Sequence, residues 1–176
     1  NVASRANVDQ TFKKISTEYK INCLINNAGI TSFKSVEENS VKEIDEVINT
    51  NLLGSIYTIK AVLPHFIRNG EGTIINVLSV VTEKTFTNSS VYSASKMGLL
   101  GYARVLREEV RKYNIRVINV IPGATETPIW TREMRDENSE RMMNPESIAR
   151  LMVSAFLQSD NLVVEDIVVR PLQGDM

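Results

Sequence analysis

Two hydrophobic periods alternate along this chain, and that alternation restricts its fold more than any other feature. Between residues 4 and 19, Val8, Phe12, Ile15 and Tyr19 recur every three or four positions, the stripe of a helix lying on a core. Cys23-Leu24-Ile25 is apolar without a break and is closed by the turn-forming Asn26-Asn27-Ala28-Gly29, which reads as a buried strand. Ser40 with Glu43 three residues later makes a capping-box signature. It opens a helix that carries Ile44, Val47, Ile48, Leu52, Ile56, Ile59 and Leu63 to a stop near Asn69-Gly70. Residues 73–78 read as a second strand, 93–113 as a third helix, and 115–121 as a third strand stopped by Pro122-Gly123. A polar, methionine-containing stretch follows over 125–143, then a helix opened by Pro145 and running to Leu157, then a last strand over 162–169. Strict alternation of this kind predicts an α/β fold, a doubly wound parallel sheet with helices on both faces. With no internal repeat or linker, residues 1–176 are expected to form one domain.

Composition narrows the function classes. Twenty basic against twenty-one acidic side chains provide no field for nucleic acid. No apolar run approaches membrane-spanning length, so neither nucleic acid nor a membrane is an expected partner. Cys23 is the only cysteine, which excludes an intrachain disulfide and fits a reducing, cytoplasmic setting. His65 is the only histidine, so histidine triads and histidine-rich metal clusters are excluded and no metal is expected.

Tyr92 and Lys96 lie four residues apart at the start of the third helix and leave it on the same face. A free phenol, with a pKa of about 10, exchanges protons poorly at neutral pH, and an ammonium about 4–6 Å away lowers that value. The pair makes a general acid/base, although a tyrosine and a solvated lysine at this spacing also occur by chance. Ser79 falls just past the second strand, at the carboxyl edge where open parallel sheets bind ligands. A hydroxyl there can donate to a substrate carbonyl oxygen as negative charge develops on it. Asn26-Asn27-Ala28-Gly29 and Pro122-Gly123 end the flanking strands on the same edge.

The strings INNAG (25–29), TNLLG (50–54), NVLSVV (76–81), VYSASK (91–96) and NVIPGATET (119–127) resemble, in order and spacing, the short-chain dehydrogenase/reductases. The resemblance implies an NAD(P)-dependent oxidoreductase that interconverts a small-molecule alcohol and its carbonyl. Tyr92 would be the proton donor in reduction, Lys96 would lower its pKa and hold the nicotinamide ribose, and Ser79 would polarise the substrate. Asn51 matches the family asparagine of the proton relay, its other reading being an ordinary polar helix residue. Asn26, Asn27, Ala28 and Gly29 match the turn passing the adenosine half of the cofactor, where Asn27 also fits a purely structural tie between strands. Pro122, Gly123 and Thr127 match the segment meeting the nicotinamide carboxamide. Asn1 and Val2 align with a family Asp-Val that contacts adenine, the asparagine departing from that pattern. Trp130 and the methionines at 134, 142 and 143 fall in the family's substrate lid, as pocket lining or as irregular core. Homodimers or homotetramers are implied, packed through the helix after Tyr92 and through the last helix and strand.

The family's glycine-rich pyrophosphate turn and first strands have no counterpart in 1–176, so the chain is expected to be a partial Rossmann-like domain that binds no cofactor by itself. The resemblance implies NAD or NADP as the cofactor, with NADP slightly favoured. Set against the enzyme reading is a non-catalytic fragment that persists only as a structural or assembly unit.

Overall fold

A computed structural model describes residues 1–158 and 161–176. Its elements, in order, are α1 (Arg5–Glu18), β1 (Cys23–Asn26), α2 (Val41–Ile48), a π-helical turn (Asn49–Leu53), α3 (Gly54–Asn69), β2 (Gly72–Val77), α4 (Ser90–Val110), β3 (Ile115–Pro122), α5 (Arg132–Asn138), α6 (Pro145–Leu157) and β4 (Asp166–Val169). The four strands are all parallel and follow one another across the sheet in chain order. Among the described residues no helix is long and apolar enough to cross a membrane.

The local signals act where expected. Ser40 and Glu43 complete a reciprocal capping box at the start of α2. Pro145 opens α6 behind Asn144, whose side chain accepts from the Glu146 amide. Gly70 ends α3 at φ 67, a left-handed conformation that glycine adopts without the steric cost of a Cβ. Gly72, at the start of β2, leaves room for the Phe66 ring, which any Cβ there would overlap.

Strand parity divides the core. Leu24, Ile74 and Val117 face α3 and α4, where they pack with Ile59, Val62, Phe66, Ala103 and Leu106. Their sequence neighbours Ile75 and Ile118 face the other way, with Val120, and pack against Ile148 and Ala155 of α6. The sheet is therefore covered on both faces. Each crossover steps one strand in the same direction, yet α3 and α4 lie on one face and α6 on the other. The β3–β4 connection accordingly has the opposite hand to the two before it, against the usual preference for a single hand. One consequence is functional. The chain leaving β2 turns to the α4 face while the chain leaving β3 turns to the α6 face, and a crevice opens between them at the carboxyl edge.

A polar row crosses this apolar interior. Asn26, Asn76, Asn119 and Asp166 stand in register on adjacent strands. Asn26 donates to Asn76 at 3.0 Å, Asn76 to Asn119 at 3.3 Å, and Asn119 to Asp166 at 2.9 Å. Thr58 closes one end by donating to Asn26 at 2.6 Å, and the buried Arg107 closes the other on Asp166 at 2.7 Å. With its members paired in sequence, the row disfavours any slip of register, because a slip strands buried amides without partners.

Three expectations need correction. The long second helix is interrupted by the π-helical turn at Asn49–Leu53, within which the Asn51 side chain bonds the Ile30 backbone. The last strand begins at Asp166 and not at 162, since Val163 and Val164 turn into the α6 cluster before the chain reaches the sheet. Arg116 of β3 meanwhile bonds the carbonyls of Phe156 and Gln158, fixing the end of α6 beside the lower half of β3. Finally, 125–143 contains a short helix, α5, capped by Thr131, whose hydroxyl accepts from the Met134 amide.

Candidate active site

The crevice at the carboxyl edge encloses about 1230 Å³ and is lined by Ser79, Tyr92 and Lys96 together with Asn27, Gly29, Pro122, Gly123 and Thr127. Ser79 follows β2 in extended conformation and caps a short 3₁₀ turn, its hydroxyl accepting from the Val81 amide at 3.3 Å. Tyr92 and Lys96 project from the first turns of α4 and are only 8% and 4% exposed. The Lys96 Nζ donates to the Val77 carbonyl at 2.7 Å, which ties α4 to the end of β2, and lies 5.7 Å from the centre of the Tyr92 ring.

Burial dominates the electrostatics here. Removal from water pulls the Lys96 ammonium down from 10.5 to about 8. It pushes the Tyr92 phenol above its ordinary value, and the neighbouring Ser79 hydroxyl pulls the other way. The sequence predicts that Lys96 lowers Tyr92. In the structure the net direction is upward, because desolvation of the phenolate outweighs the Ser79 hydroxyl.

Asn51 lies beneath the crevice, fully buried. Its carbonyl oxygen accepts from the Ile30 amide at 2.9 Å, and its amide donates to the Ile30 carbonyl at 2.8 Å and to Ser95 Oγ at 3.0 Å. Ser95 in turn donates to the Tyr92 carbonyl at 2.7 Å. The π-helical turn, the segment after β1 and the start of α4 are thereby locked together. A Cβ on Gly29 would come within 3.5 Å of both Asn51 Oδ1 and Lys96 Nζ. The missing side chain leaves a cradle beside the lysine.

The structure does not bring every expected residue to this place. Asn26 points into the sheet interior between Thr58 and Asn76, so strand parity removes it from the crevice. The tie between strands read at Asn27 is made by Asn26, while Asn27 faces the crevice. Ala28 is exposed outside the lining. Asn1 bonds the Ala3 amide, and Val2 packs on Gly54.

Sequence reasoning missed Phe33. In the loop after β1 its ring stacks on Trp130 with centroids 4.9 Å apart and planes 21° apart, and it meets Tyr92 edge-on at 6.3 Å. Trp130 and Met134 come from the 125–143 segment, and Ile148 and Met152 from α6, adding apolar surface to the crevice that Ser79 lines. The available signal for Phe33 was a lone aromatic in the loop that follows the first strand's turn. The 125–143 excursion is closed at its neck, where Met143 N donates to Ala124 O at 2.9 Å and Glu126 N to Met143 O at 3.0 Å.

Residues 1–138 match the family model described as short chain dehydrogenase. The chain belongs to this family. This dehydrogenase is 37% identical over 177 residues to a sepiapterin reductase of Chlorobaculum tepidum, an alignment covering 100% of the chain and 72% of the relative. It is 39% identical over 138 residues to a 3-oxoacyl-[acyl-carrier-protein] reductase of Bos taurus, covering 78% of the chain and 58% of the relative. Its fold superposes with a TM-score of 0.87 on an alcohol dehydrogenase from the archaeon Thermococcus sibiricus complexed with 5-hydroxy-NADP, at 24% identity over 98% of this chain and 72% of that one. The family match, with relatives named as reductases, makes the dehydrogenase an oxidoreductase.

Proposed function

We propose that this dehydrogenase interconverts a carbonyl and its alcohol, with Tyr92 moving the proton at the substrate oxygen. The observation that carries the reading is the meeting of the Ser79 hydroxyl, the Tyr92 phenol and the Lys96 ammonium in one largely buried crevice. NAD or NADP, when bound, supplies hydride to the carbonyl carbon or takes it from the alcohol carbon. The residues present suit the nicotinamide ribose end of such a cofactor: Lys96 with donors to spare, Tyr92 beside it, and the cradle at Gly29. Pro122, Gly123 and Thr127 would lie along the carboxamide.

In the reducing direction Ser79 donates to the carbonyl oxygen and stabilises the charge that develops there. Burial keeps Tyr92 protonated at neutral pH, the state a general acid needs, and the phenol gives its proton to that oxygen. The adjacent Lys96 ammonium then stabilises the phenolate left behind. With a value of about 8, Lys96 is itself close enough to neutrality to pass a proton on. Asn51 holds the Ile30 segment beneath the pair and keeps the relay path in place.

The Phe33–Trp130 stack and the methionine wall favour a planar substrate, its carbonyl directed at Ser79 and its ring lodged against aromatic and thioether surfaces. The name of the Chlorobaculum relative supports a pterin as that ring. Exposed apolar side chains on α4 (Met97, Val105), on α6 (Leu151, Val153) and on β4 (Val168) support packing of copies into a dimer or tetramer, which sedimentation measures directly. The decisive experiment is reduction of sepiapterin and of simple diketones by the full-length protein with NADPH or NADH, followed by nicotinamide absorbance. Tyr92→Phe keeps the ring and removes the proton, and is expected to lose about 10²–10⁴ of the rate. Near-normal turnover by that variant overturns the assignment.

A further inference from the structure

We propose that Asp175 is a specificity residue whose carboxylate accepts a hydrogen bond from an amino or ring N–H group of the substrate. The inference rests on the carbonyl-reductase reading above and narrows its substrate to a planar ring that carries such donors.

After β4 the chain crosses the mouth of the crevice. Pro171 lies against Gly123, and the tail turns back through Gly174, whose amide donates to the Pro171 carbonyl at 2.9 Å. This turn sends the Asp175 side chain inward, to 8% exposure, among the residues that line the crevice. The two carboxylate oxygens have different surroundings. Oδ2 is paired with Arg170 and with Lys84 Nζ at 3.5 Å, and the Asp175 main-chain carbonyl accepts from Arg141 at 3.4 Å. Oδ1 is buried, has no hydrogen-bond partner among the described residues, and faces the backbone at Gly123, where a Cβ would stand 3.6 Å away.

Anchoring the tail requires only Oδ2. A buried carboxylate oxygen has room for two hydrogen bonds, and leaving it with none is costly unless a ligand provides the donor. The cations on Oδ2 fix the group in one orientation, with Oδ1 beside Gly123, and both residues line the crevice. The stacked rings of Phe33 and Trp130 line the same crevice. A carboxylate and a stacking surface in one crevice together recognise a planar heterocycle with N–H groups at its edge, which a ring lacking donors does not satisfy.

The test compares two carbonyl substrates in the full-length protein. One is sepiapterin, whose ring carries amino and N–H donors, and the other is 1-phenyl-1,2-propanedione, which carries none. Asp175→Asn is expected to raise KM for sepiapterin about 10- to 100-fold with kcat nearly unchanged, while KM for the dione stays within about twofold. Lys84→Met loosens the tail without removing Oδ1 and is expected to leave both KM values within about twofold. Equal KM increases on the two substrates in Asp175→Asn, or no increase on either, overturn the inference. So does a wild-type protein that reduces the dione alone. A wild type that reduces neither substrate removes the carbonyl-reductase reading itself, and the inference with it.

Discussion

Replacing Lys96 with Met exchanges a buried ammonium for an apolar chain of similar length. Lys96 is 4% exposed, and burial lowers it from 10.5 to about 8. The difference is worth about 3 kcal/mol. In the unfolded chain the lysine keeps its ordinary value, so between pH 8 and 10.5 the unfolded state holds a proton that the native state has released. Native stability therefore rises with pH across that window. The cost of burying the charge is complete below about 8 and is gone above 10.5. At neutral pH the two proteins should differ little, because Met avoids the buried charge but also forfeits the 2.7 Å bond to the Val77 carbonyl. The signature lies in the slope. Urea unfolding followed by Trp130 fluorescence, from pH 7 to 10.5, should show the wild type gaining about 3 kcal/mol relative to Lys96→Met. Parallel curves for the two proteins would refute the reasoning, since they would mean that Lys96 titrates alike in the folded and unfolded states.

Three further outcomes are expected. Ser79→Ala removes both a donor to the carbonyl and the group that draws Tyr92 downward. The chemical step should slow by about 10²–10³, and the rising limb of the alcohol-oxidation profile should move to higher pH, so an unmoved limb in stopped-flow rates denies that coupling. Asn51→Leu leaves the Ile30 amide and carbonyl without their partners and should cost about 2–4 kcal/mol in urea unfolding, a loss under about 0.5 kcal/mol being incompatible with the hydrogen bonds described. Gly72→Ala drives a methyl into the Phe66 ring and should destabilise by about 1–3 kcal/mol, with part recovered in the double variant carrying Phe66→Leu; simple additivity of the two changes would rule the clash out.

The order of the main elements, the parallel doubly wound plan and the edge that carries the crevice were legible in the chain alone. Each rests on signals a few residues long: the capping box at Ser40 and Glu43, Pro145 at a helix start, Gly70 at a helix end, apolar strands closed by turns. The grouping of Ser79, Tyr92 and Lys96 followed from the same local logic, because strand ends in a parallel sheet share an edge and residues four apart share a helix face. Other features were decided only by contacts between distant segments. Asn51 matches the family's relay asparagine or reads as an ordinary polar helix residue, but its exchange of hydrogen bonds with Ile30 at the π turn is visible only in the tertiary structure. Phe33 acquires a role only against Trp130, and Asp175 only where the tail meets Gly123. The direction of the Tyr92 shift was likewise a tertiary outcome. Sequence spacing places a cation near the phenol, but the net direction depends on how much water the fold removes, and here desolvation outweighs the downward pull of the Ser79 hydroxyl.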